Sequence, residues 1–146
     1  MWSSGGFWPQ NGAVVPAAGG GGIVVQGTRG SDVVGGGAKI YLPVGFNSSD
    51  IGTPVEVDIQ YRTTKTGNFQ KLRGRLTLNS LNGPTPVTLR INGVGTALTF
   101  SIPPASIADF QVDVPVPVAD GDLISVEVDP SASTGGTLQN LIISYE

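Results

Sequence analysis

Apolar residues recur at every second position along much of this chain. Val112, Val114, Val116 and Val118 keep one phase, and Phe110 precedes them in it. Ile124, Val126 and Val128 continue the pattern after a turn, and Leu141, Ile143 and Tyr145 form a third run. Side chains of a strand alternate between its two faces, so this spacing predicts strands with one face in a core and the other in water. No stretch shows convincing helical periodicity.

The same reading upstream predicts further strands. Ala38 to Val44 carries Ile40 and Leu42 in one phase, and Pro43 suits a strand end or a sheet edge. From Thr53 to Arg62, Val55, Val57, Ile59 and Tyr61 alternate with Glu56, Asp58, Gln60 and Arg62, which predicts a clean strand. Phe69 to Leu78 places Leu72, Leu76 and Leu78 on one side and Lys71, Arg73 and Arg75 on the other. Val87, Leu89 and Ile91 lead into Asn92-Gly93-Val94-Gly95, which is hairpin chemistry, and Leu98, Phe100 and Ile102 return. Pro115 and Pro117 lack N–H donors, so Ile107 to Val118 is expected at a sheet edge. Ala119-Asp120-Gly121-Asp122 reads as a turn, Leu123 to Asp129 as a strand, and Thr137 to Tyr145 as the last one. About eight strands with frequent turn signals predict an all-β, antiparallel jelly-roll β-sandwich over residues 38–146.

Residues 1–37 differ in composition. Glycine, serine and alanine surround Trp2, Phe7 and Trp8, and only Arg29 and Asp32 are charged. Such a segment cannot build a core alone. It reads as an extended N-terminal arm whose large rings anchor on a partner; a flexible tail and an arm folded back on its own domain are the other readings. Ile23-Val24-Val25 suits a short strand in any of these cases.

Composition narrows the chemistry. The chain has 146 residues, 22 glycines, 11 prolines and only 13% charged residues. It has no cysteine and no histidine, which removes thiolate sites, the usual general base and the commonest metal ligand. The formal net charge of −3 disfavours nucleic acid as a partner. No secretory leader pattern and no long apolar run is seen, so no membrane partner is expected. Lys71, Arg73 and Arg75 form a basic stripe, expected either as a solvated face offset by Glu56 and Asp58 or as a docking stripe for an acidic surface. Asp120 and Asp122 could share a calcium ion, but Asp-Gly-Asp is too short for a full site and reads as a hairpin turn. No phosphate loop or nucleophile motif occurs, so neither an enzyme nor a cofactor is expected.

The segment VPVPVADGDLISVEVDPSASTGGTLQNLIISYE resembles the closing strands of jelly-roll virion accessory proteins of tailed bacteriophages. Its ADGD turn, alternating strand and Gly-Gly loop before a final Ser-Tyr carry that likeness. The resemblance implies a capsid cement or decoration protein, a homotrimer on the virion's capsid surface bound to the major capsid protein or another virion protein. Trp2, Phe7 and Trp8 of the arm, which lies outside that likeness, and Lys71, Arg73 and Arg75 of the stripe are the expected partner-binding residues. A receptor- or glycan-binding head domain of a phage fibre, or a tail or baseplate connector, is the alternative it implies.

Overall fold

The computed structural model describes residues 25–30, 33–42 and 53–146. Twelve strand segments occur among them: β1 (Val25–Gly30), β2 (Val33–Val34), β3 (Ile40–Leu42), β4 (Tyr61–Arg62), β5 (Gly67–Arg75), β6 (Leu78–Asn79), β7 (Thr85–Ile91), β8 (Val94–Ile102), β9 (Asp109–Val118), β10 (Leu123–Val128), β11 (Thr137–Gln139) and β12 (Leu141–Tyr145). No α-helix occurs among the described residues. The first sheet runs β1-β12-β5-β9 and the second β3-β10-β7-β8, with β4 also pairing β10. A small third sheet, β2-β11-β6, completes the set. Every recorded strand pairing is antiparallel. The architecture is an antiparallel jelly-roll β-sandwich.

The predicted phases supply the core. Leu72, Val87, Leu89, Leu98, Ile102, Ile124, Val128, Leu138 and Leu141 are fully buried in one core cluster. Phe69 and Tyr145 meet edge to face with centroids 4.9 Å apart. Phe100 reaches from β8 to the backbone of Gly74 on β5, where an added Cβ would collide with its ring. The same ring stacks on Phe110, with centroids 5.7 Å apart. The Asn92-Gly93 hairpin forms as expected, both residues taking positive φ (52° and 78°), as the tight turn between β7 and β8 requires. β9 lies at the edge of the first sheet, as Pro115 and Pro117 require.

Several expectations are corrected. Thr53 to Arg62 is not one strand: Thr53 makes a single bridge to Tyr41, and Glu56–Asp58 forms a 3-10 turn. Pro54 removes a ladder donor there. The alternation also points the wrong way, since Val55 and Val57 are exposed while Glu56 turns in to Arg90 and Ser125. Leu78 does not share the buried phase of Leu72 and Leu76. The chain breaks at residues 76–77, and Asn79 takes the inward place, donating to the carbonyls of Pro103 and Ser106 at 3.0 and 3.1 Å. The last predicted strand is two, because Asn140 adopts φ 53° between β11 and β12. Ile107 precedes β9 and is exposed. The expected arm over 1–37 gives two pieces to the sandwich: β1 pairs with β12, and β2 with β11. Trp2, Phe7 and Trp8 lie outside the described residues.

Candidate functional site

The register of the first sheet turns the basic stripe into the middle column of a polar grid. Directly opposed residues of an antiparallel pair point to the same face. Arg73 stands between Ser144 of β12 and Gln111 of β9, and Arg75 between Ile142 and Asp109. Lys71 is opposed by Asp113. All of these leave the outer face of the sheet, while Leu72 and Gly74 in the alternate phase face the core. Strands stand about 4.8 Å apart, so each row of three spans about 10 Å.

The three cations do not stand free. Lys71 Nζ lies 3.1 Å from Glu146 Oε1, Arg73 Nη2 lies 3.4 Å from the same oxygen, and Arg75 Nε lies 3.7 Å from Asp109 Oδ1. Arg73 Nε also donates to Gln111 Oε1 at 3.0 Å, and Gln111 Nε2 donates to Asp113 Oδ2 at 2.6 Å. The neutralising acids are therefore Glu146 and Asp109 rather than Glu56 and Asp58. Sequence distance hid this: Glu146 reaches the stripe because β12 pairs with β5. An open groove of about 470 Å³ runs over this face, lined by Arg73, Gly74, Arg75, Asp109, Phe110, Gln111, Ile142 and Ser144. Ile142 is 47% exposed and sets an apolar spot beside the polar rows. Asp109, Gln111, Ile142 and Ser144 could not be singled out from the sequence, since only the pairing register brings them to the arginines.

A second charged cluster covers the outer face of the other sheet. Glu127 on β10 accepts from Arg90 Nη1 at 2.7 Å and from Lys39 Nζ at 3.0 Å. Glu56 accepts from Arg90 Nε at 2.9 Å and Ser125 Oγ at 2.5 Å. Arg90 also donates to the Gly93 carbonyl and lies over the Tyr41 ring, 5.6 Å from its centroid. Burial opposes ionisation of Glu56, but the hydrogen bonds from Ser125 and Arg90 outweigh it and hold that carboxyl below its ordinary value. The hydrogen bond to Glu127 raises the Lys39 ammonium above its own. These groups are consumed by one another and pin the 3-10 turn onto the sheet, which is a structural role.

The Asp-Gly-Asp turn is likewise structural. Asp122 Oδ2 accepts from the Ala119 N–H at 2.7 Å, and Oδ1 accepts from Asn92 Nδ2 at 2.8 Å. These bonds hold its pKa below the usual carboxylate range. Gly121 takes a positive φ of 90° between the two acids.

No family model and no curated protein matches the chain. Among solved structures, it is similar to the CBM36-1 domain of a multidomain xylanase from the hindgut metagenome of Trinervitermes trinervoides, at 17% identity over 84% of this chain and 94% of that one, TM-score 0.49. It is also similar to a family 35 carbohydrate binding module from Clostridium thermocellum, at 11% identity over 77% of this chain and 97% of that one, TM-score 0.41. An exo-beta-1,3-galactanase from Phanerochaete chrysosporium shares 14% identity over 84% of this chain and 27% of its own length, TM-score 0.38. Likeness at these levels carries no ligand or role to this chain. The fold and the grid define a β-sandwich domain with one open, charge-paired sheet face.

Proposed function

We propose that this domain is a non-catalytic glycan-binding module acting through the outer face of β12, β5 and β9. The observation that carries this reading is the open groove in which Arg73, Arg75, Asp109, Gln111 and Ser144 converge beside Ile142. Guanidinium and amide groups donate, carboxylate and amide oxygens accept, and a sugar ring presents hydroxyls that do both. An exposed aliphatic side chain next to them suits the C–H face of a ring. All six of these lining residues sit on strands, so the sheet holds their spacing before any ligand arrives.

The capsid-cement reading rests on the likeness of the closing segment, on the low-charge sandwich without catalytic residue types, and on Trp2, Phe7 and Trp8, which lie outside the described residues; the basic stripe it would dock through already has its cations matched by acids. No observation of the structure favours it. Screening the full 146-residue chain on an array of immobilised glycans tests the module reading. Binding that the Arg73→Ala variant loses supports it; an array with no bound glycan removes it.

A further inference from the structure

Resting on that reading, we infer that the ligand is an uncharged polysaccharide, recognised by vicinal hydroxyls that bridge Arg75 and Asp109 and continue along the Ser144–Arg73–Gln111 row. Charge balance on the face decides against the alternatives. Its central column carries three cations, Lys71, Arg73 and Arg75, and its flanks carry three acids, Glu146, Asp109 and Asp113. Each cation has a carboxylate within 4.0 Å. A ligand carboxylate or sulfate reaching a guanidinium must displace an acid already there or lie beside it, and like charges in contact are costly. A cationic ligand meets the same difficulty from the arginines. A neutral polyol meets neither, because it donates to the carboxylates and accepts from the guanidinium groups.

The Arg75–Asp109 pair is the point of entry. Its 3.7 Å separation is long for a hydrogen bond, and its side chains are 75% and 81% exposed. Such a pair contributes little by itself and leaves hydrogen-bonding capacity unused on both partners. Two neighbouring hydroxyls can fill that capacity, one accepting from Arg75 and one donating to Asp109. In the next row the bonds are shorter, with Arg73 held by Gln111 at 3.0 Å and Gln111 by Asp113 at 2.6 Å, so these planar groups are already oriented. Ile142 opposes Arg75 on β12 and supplies the apolar contact in the same row as the diol site. The sugar chain therefore spans two neighbouring rows, each of which crosses the three strands.

The test is calorimetric titration of the full chain with two panels. One holds neutral polymers (xylan, mannan, a mixed-linkage β-glucan); the other holds polygalacturonate and a sulfated glycan. At least one neutral polymer is expected to bind, with affinity changing by less than about twofold between low and high salt, since no net charge is screened. Arg75→Ala and Asp109→Ala are each expected to weaken it by about tenfold, the loss of one hydrogen bond to a charged group. Lys65→Ala, exposed before β5 and outside the groove, is expected to leave it unchanged. Binding confined to the acidic panel and falling steeply with salt overturns the inference while sparing the glycan reading. Silence from both panels overturns both. Neutral binding that survives Arg75→Ala and Asp109→Ala, each checked for an unchanged melting temperature, also overturns it.

Discussion

Arg90 Nη1 and Glu127 Oε2 stand 2.7 Å apart on adjacent strands, under a segment that shields them from water. Glu127 is the shared acceptor of this face, since Lys39 also donates to it. Removing one member of this mostly buried pair leaves the other charge with less compensation. Glu127→Ala is therefore expected to lower unfolding free energy by about 3 kcal/mol, the low end for such a break because Arg90 keeps Glu56. Urea denaturation measures it. A loss below about 0.5 kcal/mol, the level of ordinary surface changes, contradicts this account.

Gly74 and Phe100 occupy one space from opposite sheets. A methyl at residue 74 must push the Phe100 ring, which is fixed in turn by its stack on Phe110. Gly74→Ala is expected to cost about 1–3 kcal/mol as an overpacked core. In a Phe100→Leu background that cost should shrink, because the smaller side chain yields. Equal costs in both backgrounds, read from a double-mutant cycle, argue against the contact.

Tyr145 is 2% exposed and its hydroxyl has no hydrogen-bond partner among the described residues. Burial pushes its pKa well above the ordinary phenol range. The ring is needed for the edge contact with Phe69, but the oxygen is not. Tyr145→Phe is expected to leave stability unchanged or raise it by about 1 kcal/mol, and Tyr145→Ala to cost about 3–5 kcal/mol, as a buried aromatic lost. Thermal melts of the two variants separate the ring from its oxygen.

Acid should loosen the face held by Glu56 and Asp129. Both carboxyls are depressed below their ordinary values of 4.5 and 3.8, against burial, by hydrogen bonds from Ser125 and Arg90 to Glu56 and from Ser131 and Lys39 to Asp129. A depressed folded value means the unfolded chain binds protons first as pH falls. Their contribution is thus complete above pH 4.5 and is lost as pH drops through the lower folded values. The raised Lys39 works in reverse, stabilising below its ordinary 10.5 and ceasing as pH rises past the folded value. Melting temperature against pH should fall on the acid side, and Glu56→Gln should flatten that fall. An unchanged acid slope in Glu56→Gln contradicts the assignment.

The strands that alternate over long runs were legible in the sequence. Val87 to Ile102 folds as the hairpin its Asn92-Gly93 turn announces, and Pro115 and Pro117 mark β9 as an edge. Thr53 to Tyr61 misled because period-two alternation does not say which phase faces in. There the partly buried Arg90 needed a carboxylate, and Glu56 supplied it at the expense of exposing Val57. The basic stripe was legible as a column, but its flanks were not. Ser144 and Gln111 lie 71 and 38 positions from Arg73 in sequence, and only a pairing register across three strands puts them in one row.

β12 occupies an interior place in the first sheet, between β1 and β5, although it is made after both. A nascent chain held at the ribosome short of residue 145 has two strands waiting with an unfilled slot between them. The first sheet therefore closes only once β12 is available, by joining segments far apart in the chain, and slow folding is the natural companion of such distant pairings. Until β12 joins, the Phe69 side of β5 has no cover from Tyr145, which leaves that surface open to sticking.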